Sequence, residues 1–276
     1  MPYSHYIIDG KLLKAESPAN SPFAISPNDR SFMLGDGLFE TVKVLHGKAV
    51  WLEDHLERIE SSASAFGIAF TQKKKIPALC DELIGKNAIT DGFLRITVSR
   101  GAAATGRFSD MPGESALVII GTNIEPDKKP AKAAFAPWPV NENDPAVFHK
   151  TTSRFSLVEA FRRAKTEGLD EFVFVNTKDE IAEGIFSNVF WLKGGTIFTP
   201  SEECGILPGI ARAKVMERAN DTGINVLSGR FSRKDIIDAD EIFFTNSVIG
   251  VRPCAEFEGR GLKPGKIAPK IAQELF

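Results

Sequence analysis

Three short apolar runs, Phe172 to Val175, Ser187 to Leu192 and Thr196 to Thr199, follow one another in the second half of the chain, joined by turns at Asn176 to Glu180 and Lys193-Gly194-Gly195. Runs of this length, bounded by Asn, Asp and Gly, are too short for packed helices and read as strands. Strands joined by tight turns pair with one another, so this part of the chain must build a sheet that other elements cover. A further strand, Glu241 to Thr245, reads as the last of the chain and precedes Asn246-Ser247.

The helices around this sheet are marked by their caps. Ser156-Leu157-Val158-Glu159 has capping-box spacing, Leu157, Phe161 and Ala164 share one helical face, and Gly168 supplies a stop. A second helix follows Pro208-Gly209. The first half alternates strands and helices. Tyr6-Ile7-Ile8 closes at Asp9-Gly10, Leu38 to Val44 turns at His46-Gly47, and Leu94 to Ser99 and Ala116 to Ile120 are strands separated by the loop Gly101 to Gly113. Trp51 to Phe66 carries Leu52, Leu56, Ile59 and Ala63 at helical spacing and ends at Gly67. Residues 125–132, rich in Pro and Lys without an apolar period, read as a linker. The expected architecture is α+β: a small N-terminal α/β domain over 1–124 and a larger, sheet-rich C-terminal domain over 133–276.

Composition narrows the function. With 276 residues and 43% apolar content the chain can bury a large core, and its net charge of −2 gives no global electrostatic reason to bind nucleic acid. A small-molecule partner is expected. Cys80, Cys204 and Cys254 are odd in number and lack Cys-x-x-Cys spacing, so neither a disulfide framework nor a metal site is expected. The start, Met1-Pro2-Tyr3-Ser4-His5-Tyr6, shows no basic segment leading into an apolar stretch, and no run reaches bilayer length, which implies a cytoplasmic protein without a membrane role. No Gly-x-Gly-x-x-Gly or Walker-type loop points to a nucleotide.

Chemistry enters at Lys150, in His149-Lys150-Thr151-Thr152-Ser153-Arg154, at the junction of an apolar approach and a helix. An amine held there can meet a carbonyl cofactor, although a lysine taken alone is most often a solvated charge. Downstream, Gly205-Ile206-Leu207-Pro208-Gly209-Ile210-Ala211-Arg212 sets proline and glycine at a helix start, where backbone N–H groups would suit a phosphate; an ordinary proline-started helix is the bland alternative. Thr245-Asn246-Ser247, just past a strand, offers hydroxyls and amides to the same kind of ligand, or forms a polar turn. Arg58 could bind phosphate oxygens or pair with Asp54 one turn earlier. Glu183, before an apolar strand, could pair with a pyridinium nitrogen or sit solvated at a turn.

Taken together and in this order, these residues resemble the fold-type-IV pyridoxal phosphate enzymes, which comprise branched-chain aminotransferases, D-amino-acid aminotransferases and 4-amino-4-deoxychorismate lyases. Lys150, Glu183 with Ser187-Asn188-Val189-Phe190, Thr199-Pro200, Leu207-Pro208-Gly209-Ile210-x-Arg212, Asp240-Glu241 and Thr245-Asn246-Ser247 carry the likeness in the second half. Gly35-Asp36-Gly37-Leu38-Phe39-Glu40-Thr41, Gly47 and His55-Leu56-x-Arg58-Ile59 carry it in the first. The resemblance implies pyridoxal 5'-phosphate as cofactor, with Lys150 bound to its aldehyde carbon and then serving as acid and base. It implies that Glu183 holds the ring nitrogen, that Arg58, the amides of Ile210 and Ala211, and Thr245 hold the phosphate, and that Ser187, Asn188, Gly209 and Asn246 belong to the same cofactor site. Ala211 departs from the family, which often has threonine there; weaker cofactor retention is the expected consequence. The resemblance further implies a homodimer in which the loop Gly101 to Gly113 serves the neighbouring subunit.

Two details favour the lyase branch. Phe39-Glu40-Thr41 resembles the lyase strand, in which the threonine hydroxyl takes part in catalysis, and Lys150-Thr151-Thr152-Ser153-Arg154 resembles its Lys-x-x-x-Arg pattern. The implied reaction forms 4-aminobenzoate and pyruvate from 4-amino-4-deoxychorismate, with Lys150 and Thr41 as catalytic residues and Arg107 meeting a substrate carboxylate; the alternative is a D-amino-acid or branched-chain aminotransferase.

Overall fold

The computed structural model describes residues 4–14, 25–105, 107–110, 113–127 and 129–276. The chain divides into two compact units, one comprising Met1–Glu125 with Lys150–Arg154, the other Pro126–His149 with Phe155–Phe276.

In the first unit β1 (His5–Ile8) and β2 (Lys11–Lys14) form a hairpin around Asp9-Gly10. There follow α1 (Arg30–Leu34), β3 (Gly37–Leu45), β4 (Lys48–Ala49), α2 (Leu52–Phe66), α3 (Ile76–Lys86), β5 (Gly92–Ser99) and β6 (Ala116–Asn123). The strands make a six-stranded antiparallel sheet in the order β2-β1-β6-β5-β3-β4. Side chains alternate between sheet faces, so one face presents Val42, Val44, Leu94, Ile96 and Ile119, against which Leu56 and Ile59 of α2 and Ile76, Cys80 and Leu83 of α3 pack. The same period sends Phe39, Thr41, Arg95 and Thr97 to the other face. Neither α1 nor α3 is among the elements read from the sequence, although Ile76, Cys80, Leu83 and Ile84 of α3 stand at helical spacing. The first is only five residues long and is started by Asp29, whose carboxylate accepts from the amides of Ser31 and Phe32.

The lysine segment belongs to this first unit, whereas the expected boundaries assign it to the second domain. The Phe39 amide donates to the Lys150 carbonyl (2.9 Å), the Thr152 amide donates to the Gly37 carbonyl (2.8 Å), and Thr151 bridges Leu38. Backbone groups at the start of β3 that would otherwise need another partner thereby capture a segment more than a hundred residues away.

The second unit contains β7 (Ala131–Phe135), α4 (Phe155–Thr166), β8 (Glu171–Val175), β9 (Ile181–Gly184), β10 (Asn188–Lys193), β11 (Thr196–Pro200), α5 (Ile210–Asp221), β12 (Val226–Gly229), α6 (Arg233–Ile237), β13 (Glu241–Asn246), β14 (Gly250–Phe257), β15 (Arg260–Gly261) and α7 (Ile267–Glu274). Its nine-stranded mixed sheet runs β12-β11-β10-β13-β14-β7-β8-β9, with β15 paired to β14. Central strands β8, β10 and β13 are buried on both sides, which is why they read as unbroken apolar runs. Trp191, Phe244 and Phe257 centre one core cluster, and Phe172, Phe174 and Ala160 another.

Several local expectations are corrected here. Helix α4 begins at Phe155, so Ser156 lies inside its first turn, where its hydroxyl accepts from Trp138 Nε1 (3.3 Å), and the capping box in this unit is that of Ser232 and Asp235 on α6. Gly209 is the N-cap of α5, which places Pro208 before the helix and not in its first turn. Strand β13 is followed by β14, β15 and α7, so it is not the last. Strand β7 starts at Ala131, inside the stretch read as linker, whose Lys128 lies outside the described residues.

Candidate active site

In the first unit, the half-buried Lys150 extends its ammonium to 4.7 Å from the centroid of the Phe39 ring. The guanidinium of Arg95 lies 3.7 Å from the same centroid and that of Arg154 at 5.4 Å. Thr41 stands directly across from Arg95 in the β3–β5 register, on the face that carries Phe39. The ring face attracts each cation by roughly 0.5–2 kcal/mol, which offsets part of their mutual repulsion. Burial, and then the charge of Arg154, push the Arg95 guanidinium below its ordinary pKa. Among the described residues no carboxylate lies within ion-pair distance of Arg95. A concentration of positive charge beside an amine is suited to a carboxylate-bearing ligand.

Arg58 has a partner on β3 beside the Asp54 considered in the sequence. Its Nε donates to Glu40 Oε1 (2.7 Å) and its Nη2 to Glu40 Oε2 (2.6 Å), while His55 Nδ1 meets Glu40 Oε2 at 2.6 Å. Glu40 and His55 are each 1% exposed, and His55 Nε2 has no hydrogen-bond partner among the described residues. Burial alone would raise the Glu40 carboxyl, but the charge of Arg58 and the hydrogen bonds from His55 and Arg58 reverse this and hold it at about 2. Arg58 is thus fixed from β3, through the edge of its guanidinium that faces Glu40.

Arg100 proves to be a brace. Its Nε donates to Asp36, and its other nitrogens donate to the carbonyls of Phe66 and Gly67. Asp36 also receives Arg30 Nε (2.8 Å), and Arg30 Nη1 reaches the Arg107 carbonyl (2.9 Å), tying the loop to α1. Arg107 itself is exposed. Residues 106, 111 and 112 of this loop lie outside the described residues.

In the second unit, Glu183 on β9 accepts from the Leu207 amide (3.0 Å) and from Asn188 Nδ2 (3.3 Å), and Asn188 Nδ2 also donates to the Leu207 carbonyl (3.0 Å). Asn188 is 6% exposed, so these contacts are sheltered from water. They lead directly into Gly209, where an added Cβ would sit 1.9 Å from Asn188 Oδ1; only glycine fits. Beyond it α5 begins with no side-chain cap, leaving the first-turn amides of Ile210 and Ala211 and the positive end of the helix dipole to meet an anion. Thr245, opposite Asn188 in the β10–β13 register, is 1% exposed and its hydroxyl has no partner among the described residues. Asn246 builds the next turn, its Oδ1 accepting from the amides of Val248 and Ile249. The Ser187 hydroxyl donates to Glu171 Oε2 (2.8 Å).

Three groups in these arrangements were not singled out in the sequence: Arg95, Glu171 and the Glu40–His55 pair. Arg95 and Glu171 each left a signal, a charged residue within or opening an otherwise apolar strand. Glu40 and His55 stand in the two motifs quoted for the first half, but nothing there pairs them, because helix and strand periods give no register between separate elements.

The residues present fit pyridoxal 5'-phosphate in kind: a carboxylate for a ring nitrogen at Glu183, an uncapped helix start behind a glycine that admits no Cβ, and an orphaned buried hydroxyl at Thr245. The amino-transferase class IV family matches residues 37–257. An aminodeoxychorismate lyase of Bacillus subtilis (strain 168) is 30% identical, over 91% of this chain and 86% of its own. A D-alanine aminotransferase of Listeria innocua is 25% identical, over 90% of this chain and 88% of its own. In three dimensions, the structure of a putative 4-amino-4-deoxychorismate lyase from Legionella pneumophila superposes with a TM-score of 0.88 at 27% identity, over 94% of this chain and 97% of that one. The chain belongs to the class IV aminotransferase family, enzymes with the fold-type-IV α+β architecture that use pyridoxal phosphate. No helix among the described residues is long and apolar enough to cross a membrane.

Proposed function

We propose that this enzyme is a 4-amino-4-deoxychorismate lyase, releasing 4-aminobenzoate and pyruvate. The observation that carries this reading is the set of groups around Phe39: Lys150, Arg95, Arg154, and Thr41 across from Arg95. The substrate carries one carboxylate on its ring and another on its enolpyruvyl group, and two guanidinium groups near the reacting amine suit that pattern. Pyridoxal phosphate, when bound, supplies an electron-withdrawing ring conjugated to the substrate amine. Lys150 Nζ removes the proton from C4, and Thr41 Oγ1 delivers a proton toward the departing enolpyruvyl oxygen. The C4–H and C3–O bonds break and the ring becomes aromatic, so neither an oxidant nor a second amino acceptor is needed. Glu183, whose carboxylate Asn188 holds, would meet the pyridine nitrogen and favour its protonated form. The phosphate would be held by the amides of Ile210 and Ala211 and by Thr245, while Ser187, Gly209 and Asn246 shape the surrounding turns; Arg58 keeps the phosphate role that the family resemblance implies. Arg107 is assigned to a substrate carboxylate.

A homodimer is part of this reading. Helix α4 exposes Phe155 (84%) and Val158 (58%), with Phe161 and Phe186 packed beside them at 5.4 Å between ring centroids, and a second copy of the chain is the partner inferred for that face.

The second reading, an aminotransferase, is favoured by the D-alanine aminotransferase likeness. It uses the same Lys150 but returns the proton to the cofactor and releases a keto acid. The test mixes the holoenzyme with 4-amino-4-deoxychorismate without a keto acid. Sustained formation of 4-aminobenzoate and pyruvate over many turnovers is expected. Bleaching by D-alanine or L-leucine, reversed by 2-oxoglutarate, would establish the aminotransferase instead.

A further inference from the structure

Glu171 opens β8 as an acid among apolar residues and is 8% exposed. Its Oε1 accepts from the amides of Ile185 (2.6 Å) and Phe172 (3.2 Å), and its Oε2 from the Ser187 hydroxyl (2.8 Å). Two of these donors come from the turn that joins β9 to β10. That turn is tight: the Gly184 amide donates to the Ser187 carbonyl (2.7 Å). A Cβ at Gly184 would lie 2.3 Å from Ser187 Oγ and 3.0 Å from Glu171 Cδ, so the carboxylate occupies the space beneath the turn and selects glycine there. Immediately before Gly184 stands Glu183, and immediately after Ser187 stands Asn188. These two side chains together hold the amide and the carbonyl of Leu207 and, through Asn188, the approach to Gly209 and α5.

We propose that Glu171 is a positioning residue for the cofactor site: by clamping the turn 184–187 it sets Glu183 and Asn188, and through them the N-terminus of α5. This inference rests on the assignment of Glu183 and the α5 amides to the cofactor. No other described side chain is hydrogen-bonded to both the backbone and the hydroxyl of that turn. Burial pushes the Glu171 carboxyl up to about 7, with its hydrogen bonds and the charge of Arg252 lowering it only in part, so the protein tolerates a costly buried acid at this place. Either protonation state fits the geometry, since Oε1 can accept both amides while Oε2 accepts from Ser187 or, when protonated, donates to it. Glutamine reproduces the second arrangement.

The holoenzyme and its Glu171→Gln, Glu171→Ala and Ser187→Ala variants are compared for the rate of cofactor loss and for the pH titration of the bound cofactor's visible absorbance. Glu183→Ala serves as the reference for damage to the ring contact. Ile236→Ala, a buried position on α6 away from the turn, serves as a destabilised control. Glu171→Gln should behave as wild type. Glu171→Ala should lose cofactor about tenfold faster and move the absorbance titration in the same direction as Glu183→Ala, since the lost hydrogen bonds involve a buried charged group. Ser187→Ala, which removes a single bond and leaves the core filled, should show a smaller change of the same kind and gives the answer if Glu171→Ala does not fold. Wild-type cofactor retention and titration in both Glu171→Ala and Ser187→Ala would overturn the inference, as would equal changes in Ile236→Ala. If Glu183→Ala itself changes neither quantity, the assignment of Glu183 falls and takes this inference with it.

Discussion

Lys150 owes its place to backbone hydrogen bonds with β3, and its side chain to an aromatic face shared with two arginines. If it moves the substrate proton, Lys150→Ala should abolish the yellow colour of the bound cofactor and lower turnover by about 10²–10⁴-fold, the usual contribution of a positioned acid or base. Retention of both colour and turnover would point to another lysine. Thr41→Val tests the elimination step separately: lyase turnover should fall about a hundredfold with cofactor binding intact, and unchanged turnover would remove Thr41 from the mechanism. Glu40 makes a prediction about acid stability. Its carboxyl falls from an ordinary 4.5 to about 2 in the folded protein, so its contribution is complete above 4.5 and is lost as the pH falls from there toward 2. Relative to wild type, Glu40→Gln should lose stability at pH 7 and show a shallower decline of Tm in that acid window. Lys150 and Glu183 could be singled out as candidates because motifs in order surround them. The bond from Arg58 to Glu40 could not, since the two stand on a helix and a strand whose register the sequence does not give.

At the scale of elements, α5 combines a glycine N-cap with an absent side-chain cap, and this leaves its first amides to a ligand. Gly209→Ala would drive a methyl into Asn188 Oδ1, so the loop from Leu207 must shift away from Glu183. Cofactor affinity should fall by about tenfold or more, measured by titration of the apoenzyme, while wild-type affinity would show that the loop yields at no cost. Strands β1, β3, β5, β6, β8, β10, β11 and β13 and helix α2 were readable because period and turn residues agree along them. Boundary chemistry was less so: Ser156 has capping-box spacing yet lies inside α4, because Phe155 already takes helical geometry. Helix α1 was invisible, since five residues are too few to show a period.

Across the whole chain, the two units carry buried acids of opposite behaviour. Glu171 has its carboxyl raised from 4.5 to about 7, so its contribution to stability is fully present below 4.5 and declines as the pH rises toward 7, the reverse of Glu40. Burial raises both carboxyls; in Glu171 it outweighs the hydrogen bonds and the charge of Arg252 that lower it, whereas in Glu40 the charge and hydrogen bonds of Arg58 and His55 outweigh it. In Glu171→Gln the difference in Tm between pH 5 and pH 8 should shrink, and an unchanged difference would mean that Glu171 does not titrate there. The sequence by itself determined the α+β class, the order of about half of the strands and of α2, α4 and α5, and the family with its cofactor. The class and the elements follow from local periodicity and turn chemistry, which are properties of neighbouring residues, and the family and cofactor from the resemblance that the ordered motifs carry. Only the tertiary structure decided that Lys150–Arg154 joins the first unit, that Arg58 is held by Glu40, that Arg95 faces Phe39 with no acid beside it among the described residues, and that Glu171 underlies the turn bearing Glu183. Each of these depends on which distant backbone groups and charges are brought together when water is excluded, and a one-dimensional pattern contains no term for that.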